Sequence, residues 1–131
     1  MLKTFLFRIL FISWLVFITF SSLFSFEGNM SVQSLNIPHA DKVVHFIFYF
    51  VLVILGVKAI PEFFTTKLVL RKVLLYTLFF AIAYGILIEF LQYGFTENRH
   101  GDILDVLANS VGALAGMFTV KSLFSRGWAL K

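Results

Sequence analysis

The sequence predicts an all-α membrane protein, a bundle of four transmembrane helices with both termini in the cytoplasm. Three observations predict it. Hydrophobic residues make up 60% of the 131 residues and charged ones only 14%, against roughly 45–50% and 25% in soluble domains. Mean hydropathy is +0.92, and a soluble chain of this size has too much surface for its volume to hide that much apolar area. The apolar residues fall into four runs, each close to the roughly 20 residues that cross about 30 Å of hydrocarbon. No alternation of the barrel type appears, so helices must satisfy the backbone hydrogen bonds in lipid.

The first run, 5–26, is rich in phenylalanine (Phe5, Phe7, Phe11, Phe17, Phe20, Phe24 and Phe26) and carries no carboxylate. Lys3 and Arg8 precede or open it, which also suits a cleavable signal peptide. The run is long for that, and Ser-Leu-Phe-Ser-Phe is a poor cleavage site, so an uncleaved anchor is expected. This helix should be peripheral and carry the least chemistry. A polar connection with Gly28, Asn29, Ser31 and Pro38 leads to the second helix, 43–60. The third helix spans 73–93 and the fourth 103–120. All four belong to one membrane domain covering residues 1–131.

Orientation follows from lysine and arginine near the helix ends. Lys3, Arg8, Lys58, Lys67, Arg71, Lys72, Lys121, Arg126 and Lys131 lie on one side, and only Lys42 and Arg99 on the other. The richer side is cytoplasmic by the positive-inside rule. The same flanks explain the net charge of +4, which suits anionic lipid and gives no reason to invoke nucleic acid. The chain has no cysteine, which excludes disulfides, thiolate metal sites and a cysteine nucleophile.

With this topology the polar residues gather at the outer face. At 100° per residue, Asp41, His45, Tyr49 and Gly56 share an arc of about 80° on the second helix. Ala81, Gly85, Glu89 and Gln92 do so on the third. Asp102, Asp105, Asn109, Gly112 and Gly116 do so on the fourth. Small residues allow close helix approach, so Gly85, Gly112 and Gly116 are expected at packing contacts. The polar ends should form a hydrated outer pocket of Asp41, Lys42, His45, Tyr49, Glu89, Gln92, Arg99, Asp102, Asp105 and Asn109. Glu89 is the costliest of these, because a carboxylate at the bilayer centre is charged about 2.5–3.5 kcal/mol on insertion scales, less near an edge. Arg99, His45 and Lys42 are its expected partners. Asp41 and Asp102 also suit helix N-caps, and polar residues also glue helices without further function.

The same residues form a spaced pattern. It runs Asp41-Lys42-x-x-His45-Phe46-x-x-Tyr49, then Tyr84-Gly85-x-x-x-Glu89-x-x-Gln92. It ends with Arg99-x-x-Asp102-x-x-Asp105-x-x-x-Asn109-x-x-Gly112-x-x-x-Gly116. The chain resembles the VanZ-like membrane proteins over about residues 41–120. The resemblance implies a bacterial inner (cytoplasmic) membrane location. The family takes its name from a protein associated with resistance to the glycopeptide teicoplanin, and it names no substrate for this chain.

Four functions compete. The first is an envelope protein whose outer pocket binds a polar ligand at the membrane surface, such as a lipid-linked cell-wall component, a phospholipid head group or a lipoglycopeptide tail. Arg99, Lys42 and protonated His45 would meet its anionic group. The second is a small membrane enzyme, with His45, Glu89 and Asp105 as candidate acid–base residues or, with Asp102, metal ligands. No H-E-x-x-H or phosphate loop supports it, Ser110 lies about 140° from Asp105 around the helix, and residue types alone assign no metal or cofactor. The third is ion or proton translocation, against which the ionisable residues stop at the outer half. The fourth is a structural assembly partner.

Overall fold

A computed structural model describes residues 2–24, 39–60, 67–95 and 103–126. Four α-helices account for nearly all of them: α1 (Leu2–Leu23), α2 (Ala40–Lys58), α3 (Lys67–Phe95) and α4 (Ile103–Ser125). All four are long and apolar enough to cross a membrane. At 1.5 Å per residue α1 and α4 span about 33–35 Å, and α3 about 43 Å.

α1, α2 and α3 begin ahead of the apolar runs and α3 and α4 end beyond them, whereas α1 stops at Leu23 and α2 at Lys58, short of the expected 26 and 60. α2 begins at Ala40 and so includes Asp41 and Lys42, α3 begins at Lys67, and α4 continues to Ser125. Hydropathy marks the hydrocarbon-facing part of a helix. The polar ends stay helical, because long basic side chains reach the interface from within the last turns. Lys58, Arg71, Lys72 and Lys121 all lie inside helices.

The outer surface is that of a protein in lipid. Phe5, Phe17, Phe20, Phe79, Phe90, Val111 and Phe118 are exposed, a distribution that would be unfavourable in water. Inside, Tyr49, Leu52, Val53, Ala81 and Ala113 form one core with Ile18 and Leu78. A second cluster of Val57, Leu70, Leu74 and Val120 closes the opposite end.

The most extensive interface joins α2 and α4. They run side by side in the same direction, because Gly112 faces Phe46 and Gly116 faces Phe50. A Cβ at Gly112 would run into the carbonyl oxygen of Phe46 and come within 2.9 Å of its Cα, and one at Gly116 would sit 2.7 Å from the oxygen of Phe50. Here the small residues permit contact between helix backbones. At Gly85 the neighbours are side chains, with Asn109 Nδ2 and Tyr49 Cε1 each 3.2 Å from the added carbon.

α1 packs on α2 and α3 and makes no interface with α4 among the described residues. Its attachment is polar as well as apolar. Trp14 Nε1 donates to the Phe48 carbonyl (2.9 Å), Arg8 Nε to that of Ala59 (3.0 Å), and the Tyr84 hydroxyl to that of Leu15 (3.0 Å). Thr19 and Tyr84 share a short hydroxyl contact. α1 is thus at the edge of the bundle, as its lack of carboxylates implies, yet buries Ile18 and Ser22 fully.

Candidate functional site

Three helices bring ionisable groups to one end of the bundle, where α2 and α4 begin and α3 ends. Asp41 and Lys42 lie in the first turn of α2, with His45 one turn deeper and Tyr49 one turn below that. Asp105 lies in the first turn of α4, where the helix dipole favours a carboxylate, and Asn109 lies one turn deeper. Glu89 stands six residues from the end of α3, about 9 Å along the axis.

These side chains converge. Lys42 Nζ is 3.1 Å from Asp105 Oδ1 and 3.2 Å from Asp41 Oδ2. His45 Nδ1 lies 3.0 Å from Asn109 Oδ1 and 3.6 Å from Glu89 Oε1, while Nε2 faces Asp105 Oδ2 at 3.9 Å. One donor atom from each of His45, Glu89 and Asp105 lies within 4.8 Å of the others. The cluster is largely closed to solvent: Glu89 is 5% exposed, Asp105 8%, His45 9% and Asn109 1%. Charges removed from water need close opposite partners, and Lys42 supplies one to Asp41 and Asp105.

Two polar atoms stand out. Tyr49 Oη and Asn109 Nδ2 are buried with no hydrogen-bond partner among the described residues. Such groups are uncommon in folded proteins and cost about 1–3 kcal/mol when they stay unmet.

The outcome for the remaining sequence candidates is mixed. Gln92 is buried, but its amide donates to the carbonyl of Ser22 (2.7 Å) and so binds α3 to α1. Glu89 lies beside His45, as expected. Asp41 is not the N-cap of α2: His39 holds that position, with a left-handed φ of 60° and no side-chain cap. Asp41 sits within the first turn instead, where it still complements the helix dipole. Arg99 and Asp102, including the cap reading of Asp102, lie outside the described residues. Ser110 donates to the Val106 carbonyl on its own helix (2.9 Å) and takes no part in the cluster.

Hydropathy and motif spacing did not reveal a shallow, open groove along α2 and α4. It has a volume of about 380 Å³ and is lined by His39, Lys42, Val43, Phe46, Leu107, Ala108 and Val111. Its walls are apolar apart from His39 and Lys42. Val43, Leu107 and Val111 sit on the faces of α2 and α4 that point away from the bundle core. In the sequence they look like ordinary lipid-facing residues.

The fold and this cluster define a multi-pass helical membrane protein with a buried polar centre at one end. The family described as VanZ/LLP1 matches residues 4–125, nearly the whole chain, and the protein belongs to that family. The match takes in α1, which the motif residues did not reach. No curated protein and no solved structure matches the chain.

Proposed function

We propose that this protein is an envelope protein of the bacterial inner membrane that binds an amphiphilic, lipid-linked ligand at the extracytoplasmic face. The position of Lys42 carries this reading. Its side chain lines the apolar groove, and its ammonium group bridges to Asp105 in the polar cluster. A chain lying in the groove would bring its head group to Lys42 and His39, with Asp41 and Asp105 beside them. An ammonium group suits a phosphate or carboxylate head, and Val43, Phe46, Leu107 and Val111 suit an acyl or isoprenoid chain.

The ligand class includes lipid-linked cell-wall intermediates, phospholipids and the fatty tail of a teicoplanin-type glycopeptide. Glycopeptide resistance would follow if the last of these were held at the membrane. The nine-to-two distribution of lysine and arginine supports placing this end outside.

A second reading, acid–base chemistry on the same ligand, draws support from His45 lying between Glu89 and Asp105. A histidine within reach of two carboxylates has the makings of a general acid–base pair.

The test is to purify the protein from native membrane into nanodiscs and identify retained amphiphiles by mass spectrometry. The parent should enrich an anionic amphiphile over bulk lipid. Val111→Trp, which fills the groove, and Lys42→Gln should each lose it. A retained lipid profile identical to the bulk membrane in all three proteins would overturn the binding reading. Conversion of the retained amphiphile to a product, lost in Glu89→Gln, would favour the enzyme.

A further inference from the structure

We propose that His45, Glu89 and Asp105 form a binding site for a divalent transition-metal ion of the zinc type. The inference does not depend on the lipid-binding reading, since the three residues line the cluster and not the groove.

The hydrogen bonding of His45 makes the case. A neutral imidazole has one N–H donor and one lone-pair acceptor. Nδ1 lies 3.0 Å from the amide oxygen of Asn109, and in the tautomer with its proton on Nδ1 the ring donates to that oxygen. That leaves the lone pair on Nε2, which faces Asp105 Oδ2 at 3.9 Å. Two acceptors facing each other repel unless a cation lies between them. The other Asp105 oxygen is already engaged by Lys42, so Oδ2 is the atom left for that cation. Glu89, 5% exposed, completes a set of three donor atoms within 4.8 Å of one another.

The arrangement has the parts of a zinc site. Imidazole and carboxylate ligands suit zinc, cobalt or manganese better than magnesium or calcium. Donor atoms around a tetrahedral ion with bonds of about 2.1 Å are about 3.4 Å apart. The 3.9 Å between Nε2 and Asp105 Oδ2 closes to that value with a small side-chain rotation, and Glu89, 3.6 Å from Nδ1, has to swing toward the Nε2 side to join them. A metal-bound histidine usually donates its other N–H to a carbonyl or carboxylate, and Asn109 Oδ1 is placed to accept it.

The Asn109 amide points to a further ligand. Asn109, 1% exposed, sits against His45 with its Nδ2 lacking any partner among the described residues. Tyr49 Oη, on the same stripe of α2, is in the same condition. Three protein ligands leave a fourth position open in tetrahedral geometry. A water or ligand oxygen bound there would accept from the Asn109 amide.

The alternative occupant of the gap is a proton on Nε2, either in the imidazolium or in the other neutral tautomer with the Asn109 amide turned end for end. The two are separated by experiment. Full-length protein in nanodiscs is stripped with a chelator, desalted and titrated with Zn²⁺ and, separately, with Co²⁺ as a spectroscopic probe. The expected result is one retained zinc per chain and the intense visible bands of four- or five-coordinate Co²⁺. Glu89→Gln and Asp105→Asn should abolish both signals. Asn109→Ala should weaken binding about 10–100-fold, as loss of a ligand's hydrogen-bond partner does, and Lys42→Met should strengthen it by removing a competing cation. His39→Gln should leave it unchanged. Circular dichroism checks that each variant is folded. No zinc retention by the parent, or retention unaltered in a folded Glu89→Gln, Asp105→Asn variant, overturns the site.

Discussion

Lys42 Nζ lies 3.1 Å from Asp105 Oδ1 and ties the first turn of α2 to the first turn of α4. Both side chains are mostly buried, at 21% and 11% exposure. Such a pair is costly to break from one side, because the surviving charge has lost its solvent without gaining a partner. Lys42→Met should therefore destabilise the bundle by about 1–3 kcal/mol, the lower part of the range reflecting the solvent still reaching Lys42. Adding Asp105→Asn should restore part of the loss. Thermal unfolding in detergent with a chelator present measures both. Strictly additive losses in the double variant would show that the two groups are not coupled.

Backbone contact between α2 and α4 sets a second expectation. Gly112 and Gly116 meet backbone oxygens of Phe46 and Phe50, whereas Gly85 meets the side chains of Asn109 and Tyr49. Backbone cannot rotate out of the way, and side chains can. Alanine at Gly112 should cost the most, at or above the roughly 1–3 kcal/mol typical of overpacking. Gly116→Ala should follow, and Gly85→Ala should be mildest. Melting temperatures of the three variants check the order, and a Gly112→Ala protein as stable as Gly85→Ala would contradict the close approach.

The helices and their facing stripes were legible in the sequence because both follow from a fixed 100° rotation. Apolar length gave four spans, and the arcs holding His45, Glu89 and Asp105 turn toward one another in the bundle. The attachment of α1 was not legible. Trp14, Tyr84 and Gln92 bond to backbone carbonyls of Phe48, Leu15 and Ser22, and a carbonyl has no signature in the sequence. The displacement of Asp41 from the cap position has a similar origin. Helix starts are set by backbone geometry at His39, and a carboxylate is favourable anywhere in the first turn.

Gln92 gives a third expectation. The last four carbonyls of a helix have no partner within it, and Ser22 lies in that last turn of α1. The Gln92 amide, 3% exposed, satisfies its oxygen at 2.7 Å. Gln92→Leu keeps the volume and removes the donor, losing a buried hydrogen bond worth about 0.5–1.5 kcal/mol net. The loss should concentrate on α1, seen as faster hydrogen exchange near residues 19–23 with α2 and α4 unchanged. Uniform loosening of all four helices would argue that Gln92 supports the polar cluster and not α1.

Orientation is checked independently. Nine basic residues against two imply cytoplasmic termini and an outer α3–α4 connection. A reporter active only outside the cytoplasm should be silent when fused after Lys131 and active when inserted near Asn98. The reverse pattern would move the polar cluster to the cytoplasmic face and remove the envelope from the proposed function.

The last expectation separates a working site from polar glue. Glu89→Gln and Asp105→Asn change charge while nearly keeping size. If the cluster only holds helices together, each variant should act through stability, since hydrogen bonds between membrane helices are worth only about 0.6 kcal/mol on average. If it binds or reacts, ligand retention and any protective phenotype should fall in Glu89→Gln while insertion and melting stay near the parent's, Asp105→Asn carrying the added cost of breaking its pair with Lys42. Growth of an expressing strain under lipophilic envelope-targeting antibiotics, glycopeptides among them, gives the phenotype, and the nanodisc retention assay gives the binding. Burial argues for the first test being Glu89→Gln: the side chain lies beside His45 with almost no solvent contact, so its charge acts on whatever the cluster holds. A folded Glu89→Gln, Asp105→Asn protein with full retention and full protection would reduce the cluster to a structural network.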